Sequence, residues 1–133
     1  MACPGTERYL AVVLLLNGAV NVLAAVMMIA FPALGLHIPG YQQLHYQTAF
    51  AVGGWGIAAF SFGVARIWAS RQPAYRWYMA TVGVLEGALL SLYSLARVAW
   101  SPTTLLEAAL PLSIALVFGL AYAVALLWRA RTA

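Results

Sequence analysis

The chain contains no lysine and no aspartate; seven arginines and three glutamates are all the formal charge its 133 residues carry. Charged residues make up 8% of the sequence, where a soluble domain is roughly one quarter charged. With 65% hydrophobic residues, a soluble fold of this length lacks the polar surface to cover itself. The solvent that fits this composition is a lipid bilayer. The net charge of +4 comes from arginines set between apolar runs, with no basic stripe along a face, so nucleic acid is not an expected partner. One cysteine, Cys3, excludes an internal disulfide and a cysteine metal cluster. Paired carboxylates, a glycine-rich phosphate loop and a nucleophile–base pair are also missing, so no metal site and no familiar catalytic set is expected.

What the sequence does have is apolar length. Four runs stand out, at about 9–31, 48–67, 77–98 and 105–128. Each can cross ~30 Å of hydrocarbon as a helix rising about 1.5 Å per residue. Such runs are too long for barrel strands, so helices are predicted. Pro32, Pro39, Pro73 and Pro102 punctuate the connections. The expected fold is all-α, a single polytopic four-helix bundle over residues 1–133. The first run exceeds the about 7–15 residues of a cleavable signal's apolar region and reads as a retained anchor.

Arginine placement predicts orientation. Arg8 lies in the N-terminal tail, Arg66, Arg71 and Arg76 around the second connection, and Arg129 and Arg131 in the C-terminal tail. Only Arg97 falls on the other side, so the positive-inside rule puts both termini in the cytoplasm. Trp68, Tyr75, Trp77 and Tyr78, at the ends of runs, read as an interface belt.

Small residues predict how the helices meet. Ala49, Gly53, Gly56 and Gly63 form a stripe in the second run, Gly83, Gly87 and Ser91 in the third, and Ala115, Gly119 and Ala123 in the fourth. Such stripes permit close backbone approach in lipid, and packing within the chain is expected ahead of packing between chains. Pro111, about one turn into the fourth run, is expected to be a tolerated bend.

Glu107 stands at the start of the fourth run, whereas Glu86 is the acid deep inside these runs, in "TVGVLEGALLSLYS". It lies nine residues in from Trp77, ~14 Å deep. Asn17 and Asn21, at i and i+4 in the first run, reach similar depth and would meet it if the first and third spans touch. A charged carboxylate near a bilayer centre costs at least ~2.5–3.5 kcal/mol, so Glu86 needs a hydrogen-bonding partner. One reading is interhelical glue, Glu86 to Asn17 or Asn21. The other is functional: Glu86 as the candidate catalytic proton-transfer group, or Asn17, Asn21, Glu86 and Tyr93 as the polar lining of a ligand pocket between the first three spans. Arg97, ~16 Å farther along the helix, is out of reach of Glu86. Glu107 suits a helix N-terminus and is placed to meet Arg97. The loop "GLHIPGYQQLHYQT" holds His37 and His45, candidate axial ligands for a haem or a chlorophyll-like pigment; their spacing of eight suits no helical metal site.

The stretch "GGWGIAAFSFGVARIWASRQPAYRWYMATVGVLEGALLSLYSLA", about a third of the chain, resembles the second and third spans of small BphX-like membrane proteins and of the wider DoxX-like set. The likeness lies in a glycine-rich second span, a short arginine-containing turn and G-x-x-E-G in the third. It implies a bacterial inner-membrane protein of four spans, encoded beside enzymes or redox systems, and assigns no catalytic residue. The expected function is association, as an accessory subunit or a self-assembling scaffold whose partners are the bilayer and other membrane chains or itself. The alternatives are a binder of a small apolar ligand (a quinone, lipid or pigment) near Glu86, and an isomerase-like intramembrane enzyme using Glu86. A lone acid without a carboxylate–histidine set weighs against the enzyme, and the absence of a polar ring weighs against a channel.

Overall fold

A computed structural model describes residues 4–30, 46–101 and 104–132, and of residues 46–49, 107 and 132 the backbone alone. The described chain is helical: α1 (Pro4–Ala30), α2 (Tyr46–Arg71), α3 (Pro73–Trp100) and α4 (Leu105–Thr132). All four hold segments long and apolar enough to cross a bilayer. Cys3 and the loop with His37 and His45 lie outside the described residues.

The helices outrun the apolar runs that predict them. Hydropathy ends where polar side chains begin, but arginine, glutamine and glutamate are good helix formers, and only a backbone conflict stops a helix. Pro4 opens α1, where its missing N–H is no loss. Pro73 opens α3 and forces Gln72 into extended backbone, φ −116° and ψ 97°, so one residue separates α2 from α3. The Gln72 N–H donates to the Ala69 carbonyl at 3.1 Å, and the Gln72 carbonyl accepts from the Tyr75 N–H at 3.0 Å. α4 continues through Pro111.

Packing is uneven. α1 rests most extensively on α2, and α3 on α4. Glycine makes both contacts close. A Cβ on Gly18 would stand 2.8 Å from the Gly63 carbonyl oxygen, and one on Gly63 would stand 2.9 Å from the Gly18 carbonyl oxygen. A Cβ on Gly87 would stand 2.8 Å from both the Ala115 carbonyl oxygen and the Gly119 Cα. These registers make each pair antiparallel. Gly56, Gly63, Gly83, Gly87 and Gly119 of the predicted stripes thus pack within the chain, Gly53 has nothing within 4 Å, and the Ala49 side chain lies outside the described ones. The stripe's partner on α1, Gly18 with Ala25, is not among the small-residue faces predicted from sequence.

Contacts between the two pairs are sparser. The core shared by all four helices contains Leu10, Leu14, Ala69, Met79, Ala80, Tyr122 and Ala125. It lies toward the end that holds both termini and the α2–α3 turn. Large apolar side chains elsewhere point outward, Phe50, Leu89, Val117 and Leu120 among them. That distribution suits a surrounding bilayer.

Candidate functional site: a polar set crossing the seam

Each helix sends a hydrogen-bonding side chain into the seam between the pairs: Asn17 from α1, Arg66 from α2, Glu86 from α3 and Tyr122 from α4. The Asn17 Nδ2 donates to the Tyr122 hydroxyl at 2.9 Å, both buried, joining α1 to α4. The Arg66 Nη2 donates to the Glu86 Oε2 in a direct ion pair, joining α2 to α3. Both links cross between the close-packed pairs. Tyr122 is seated by a glycine: a Cβ on Gly83 would stand 2.3 Å from its ring.

The ion pair is lopsided. Arg66 is fully buried, whereas the Glu86 side chain is 45% exposed. Buried arginine is tolerated only when paired, and here two of its nitrogens, Nε and Nη1, lack hydrogen-bond partners among the described residues. The Phe62 ring lies 5.8 Å from the guanidinium carbon, within cation–π range. Arg66 is six residues from Gln72 and Glu86 fourteen, or ~9 Å and ~21 Å along their helices. The arginine therefore reaches toward mid-span, the reverse of the snorkelling expected of a long basic side chain.

A cavity of about 60 Å³ lies beside this set, lined by Asn17 and Asn21 of α1, Gly83, Glu86, Gly87 and Leu90 of α3, and Ile114, Ala115, Phe118 and Gly119 of α4. Ligand pockets run to about 300–1,000 Å³. This one has room for a few waters, each needing about 10–15 Å³ on that measure.

The geometry corrects several expectations. Asn17, Asn21 and Glu86 do share one cavity, but Glu86 bonds Arg66 and Asn17 bonds Tyr122; the expected Glu86–asparagine glue does not form. The reason is that α2 stays helical to Arg71, which carries Arg66 inside the protein instead of leaving it in a connection. The cavity lies among α1, α3 and α4, not the first three helices, because the glycine face of α2 is turned to α1. Tyr93 is exposed and outside the lining, one heptad or ~10.5 Å beyond Glu86. Arg97 is exposed, and the Glu107 side chain, its expected partner, lies outside the described ones. Tyr122 is the residue sequence reasoning missed; its signal is a lone tyrosine deep in the apolar segment "LAYAVALL".

A second polar cluster closes the end that holds the termini. Glu7 accepts from the Trp77 Nε1 at 2.7 Å and from the Arg76 Nη1 at 3.2 Å. Arg76 also donates to the Ser70 carbonyl at 2.8 Å and 3.1 Å. The Arg129 guanidinium lies 4.5 Å from the Trp77 ring centre, and the Tyr9 hydroxyl donates to the Ala121 carbonyl at 3.1 Å. The start of α1, the α2–α3 turn and the end of α4 are thereby held together. Trp77 thus serves as a clamp between α1 and α4.

Among the described residues, no group of three or more His, Cys, Asp or Glu side chains is placed to hold a metal ion. No protein-family model matches the chain, and no curated protein or solved structure matches it either.

Proposed function

We propose that this is a transmembrane four-helix bundle that works by association, as an accessory subunit of a membrane complex or a self-assembling scaffold, with Glu86 as the point of engagement. Both termini and the α2–α3 turn face the cytoplasm of a bacterial inner membrane in this reading. Its support is that five of the seven arginines, Arg8, Arg71, Arg76, Arg129 and Arg131, flank that end. The resemblance to BphX-like proteins fits the same reading.

The half-exposed carboxylate of Glu86 carries the functional part. It is fixed from inside by Arg66, and Leu85, Leu89 and Tyr93 of the same helix are exposed apolar side chains. An acid edge on an apolar mid-span surface is costly in lipid and is relieved by a polar group of another chain. Ligand binding has less support, because the cavity is several-fold smaller than the usual pocket. Proton-transfer chemistry has less support too, because Arg66 is permanently charged and offers Glu86 no base.

The test is native mass spectrometry of the chain extracted from its own membrane in mild detergent, with cysteine cross-linking from Leu89→Cys in the intact membrane. Multiples of 14.3 kDa, or a foreign chain, together with a cross-link at Leu89, are expected. A monomer with no cross-link at Leu89 would sink the reading. A small retained mass lost in Glu86→Gln would shift it to ligand binding.

A further inference from the structure

Charge on this molecule is segregated by depth. Arg66 and Glu86 cancel in the middle. Beyond them, toward the far end, stand one arginine, Arg97, and one glutamate, Glu107. At the end with the termini, five arginines face one glutamate, Glu7, which leaves four positive charges, equal to the net charge of the whole chain, +4. Glu7 is already engaged by Arg76 and Trp77.

Three of these arginines, Arg8, Arg71 and Arg131, are exposed and make no ion pair or hydrogen bond with a described residue. They come from three helices but hang on one hub. Arg8 follows Glu7, Arg71 follows the Ser70 whose carbonyl holds Arg76, and Arg131 stands two residues past the Arg129 stacked on Trp77. Aromatic rings mark the same level: Trp68 and Tyr75 lie 4.7 Å apart across the α2–α3 turn, and Tyr9 and Trp128 lie 6.5 Å apart. Tryptophan and tyrosine settle at the headgroup layer, so these arginines stand at phosphate depth.

We propose that this end is a binding surface for the headgroups of anionic phospholipids, with Arg8, Arg71 and Arg131 as the phosphate contacts. Guanidinium groups bind phosphate oxygens through paired N–H donors, and the aromatic collar fixes them at the right depth. The clamp among Glu7, Arg76 and Trp77 presents them without consuming them. The source is the bilayer, since the collar places the site beside lipid.

The test is native mass spectrometry of the full chain from mixed phosphatidylglycerol and phosphatidylcholine bilayers, counting the lipids retained. Wild type is expected to retain phosphatidylglycerol preferentially. Each arginine-to-glutamine change is expected to lower that preference about five-fold, and Arg8→Gln/Arg71→Gln/Arg131→Gln on the order of 100-fold. A lysine triple at the same positions should keep most of the preference, and Arg97→Gln should leave it unchanged. Equal retention of both lipids by wild type overturns the proposal. So does a glutamine triple, folded by circular dichroism, that keeps the wild-type preference, or an Arg97→Gln that loses it. Soluble glycerol phosphate that displaces the lipid at micromolar concentration overturns the bilayer as the source. None of these outcomes depends on self-association, so this surface and the Glu86 reading stand or fall separately.

Discussion

Among the described residues, two glutamate–arginine pairs tie the helices together, Glu86 with Arg66 in the middle and Glu7 with Arg76 at the end. The chemistry is the same and the surroundings are not. Arg66 is fully buried, and its pair bridges two helix pairs that otherwise touch sparsely. Arg76 and Glu7 are 15% and 24% exposed, and each has other partners, the Ser70 carbonyl for one and the Trp77 indole for the other. In the middle, the desolvation of Arg66 makes the pair obligatory: removing one partner strands the other. At the end, water, the Trp77 donor and the Ser70 acceptor share the work, so no single bond is decisive.

The largest expected effect follows from that contrast. Glu86→Leu leaves the fully buried Arg66 unpaired and should destabilise by about 3–5 kcal/mol, while Arg66→Leu/Glu86→Leu should recover most of the loss. Unfolding in detergent measures both. A double variant as unstable as the single would mean that the pair is not the seam's fastener. Gly83→Ala comes next: the new methyl meets the Tyr122 ring and should cost about 1–3 kcal/mol. Gly53→Ala, facing open space, should instead be neutral or stabilising by up to about 1 kcal/mol. A third test is a double-mutant cycle on Asn17→Ala and Tyr122→Phe, with an expected coupling of about 0.6 kcal/mol and at most about 1.7. The smallest effect is expected at the end, where Glu7→Gln keeps an acceptor for Trp77 and should cost about 0–1 kcal/mol. Raising the salt should shrink the Glu7 effect and leave the Glu86 effect standing; equal salt sensitivity at both sites would erase the distinction.

Much of the seam was readable residue by residue but not pair by pair. Depth counting put Asn17, Asn21 and Glu86 at one level, and they do line one cavity. It pointed to Asn17 or Asn21 as the partner of Glu86, where the structure has Arg66. That choice turns on a six-residue offset from Gln72 and on the reach of an arginine stem. Hydropathy misled at the same point, because a strongly polar residue reads as the end of a span even where the helix runs on to Arg71. Tyr122 was hidden for a different reason. One tyrosine in an aliphatic run carries no periodic signal, and its importance comes from the bare backbone of Gly83 on another helix.

Local signals in the sequence suffice for the apolar spans, the helical class, the four described helices and most of the glycine stripes. All of these follow from local hydropathy, propensity and proline, which act over a few neighbouring residues. Only the tertiary structure settles that the stripes build two antiparallel pairs, and that buried polar links join a shared apolar core in holding one pair to the other. Those outcomes depend on the rotation and axial offset of one helix against another, and a shift of a single turn, ~5.4 Å, would give Glu86 a different partner.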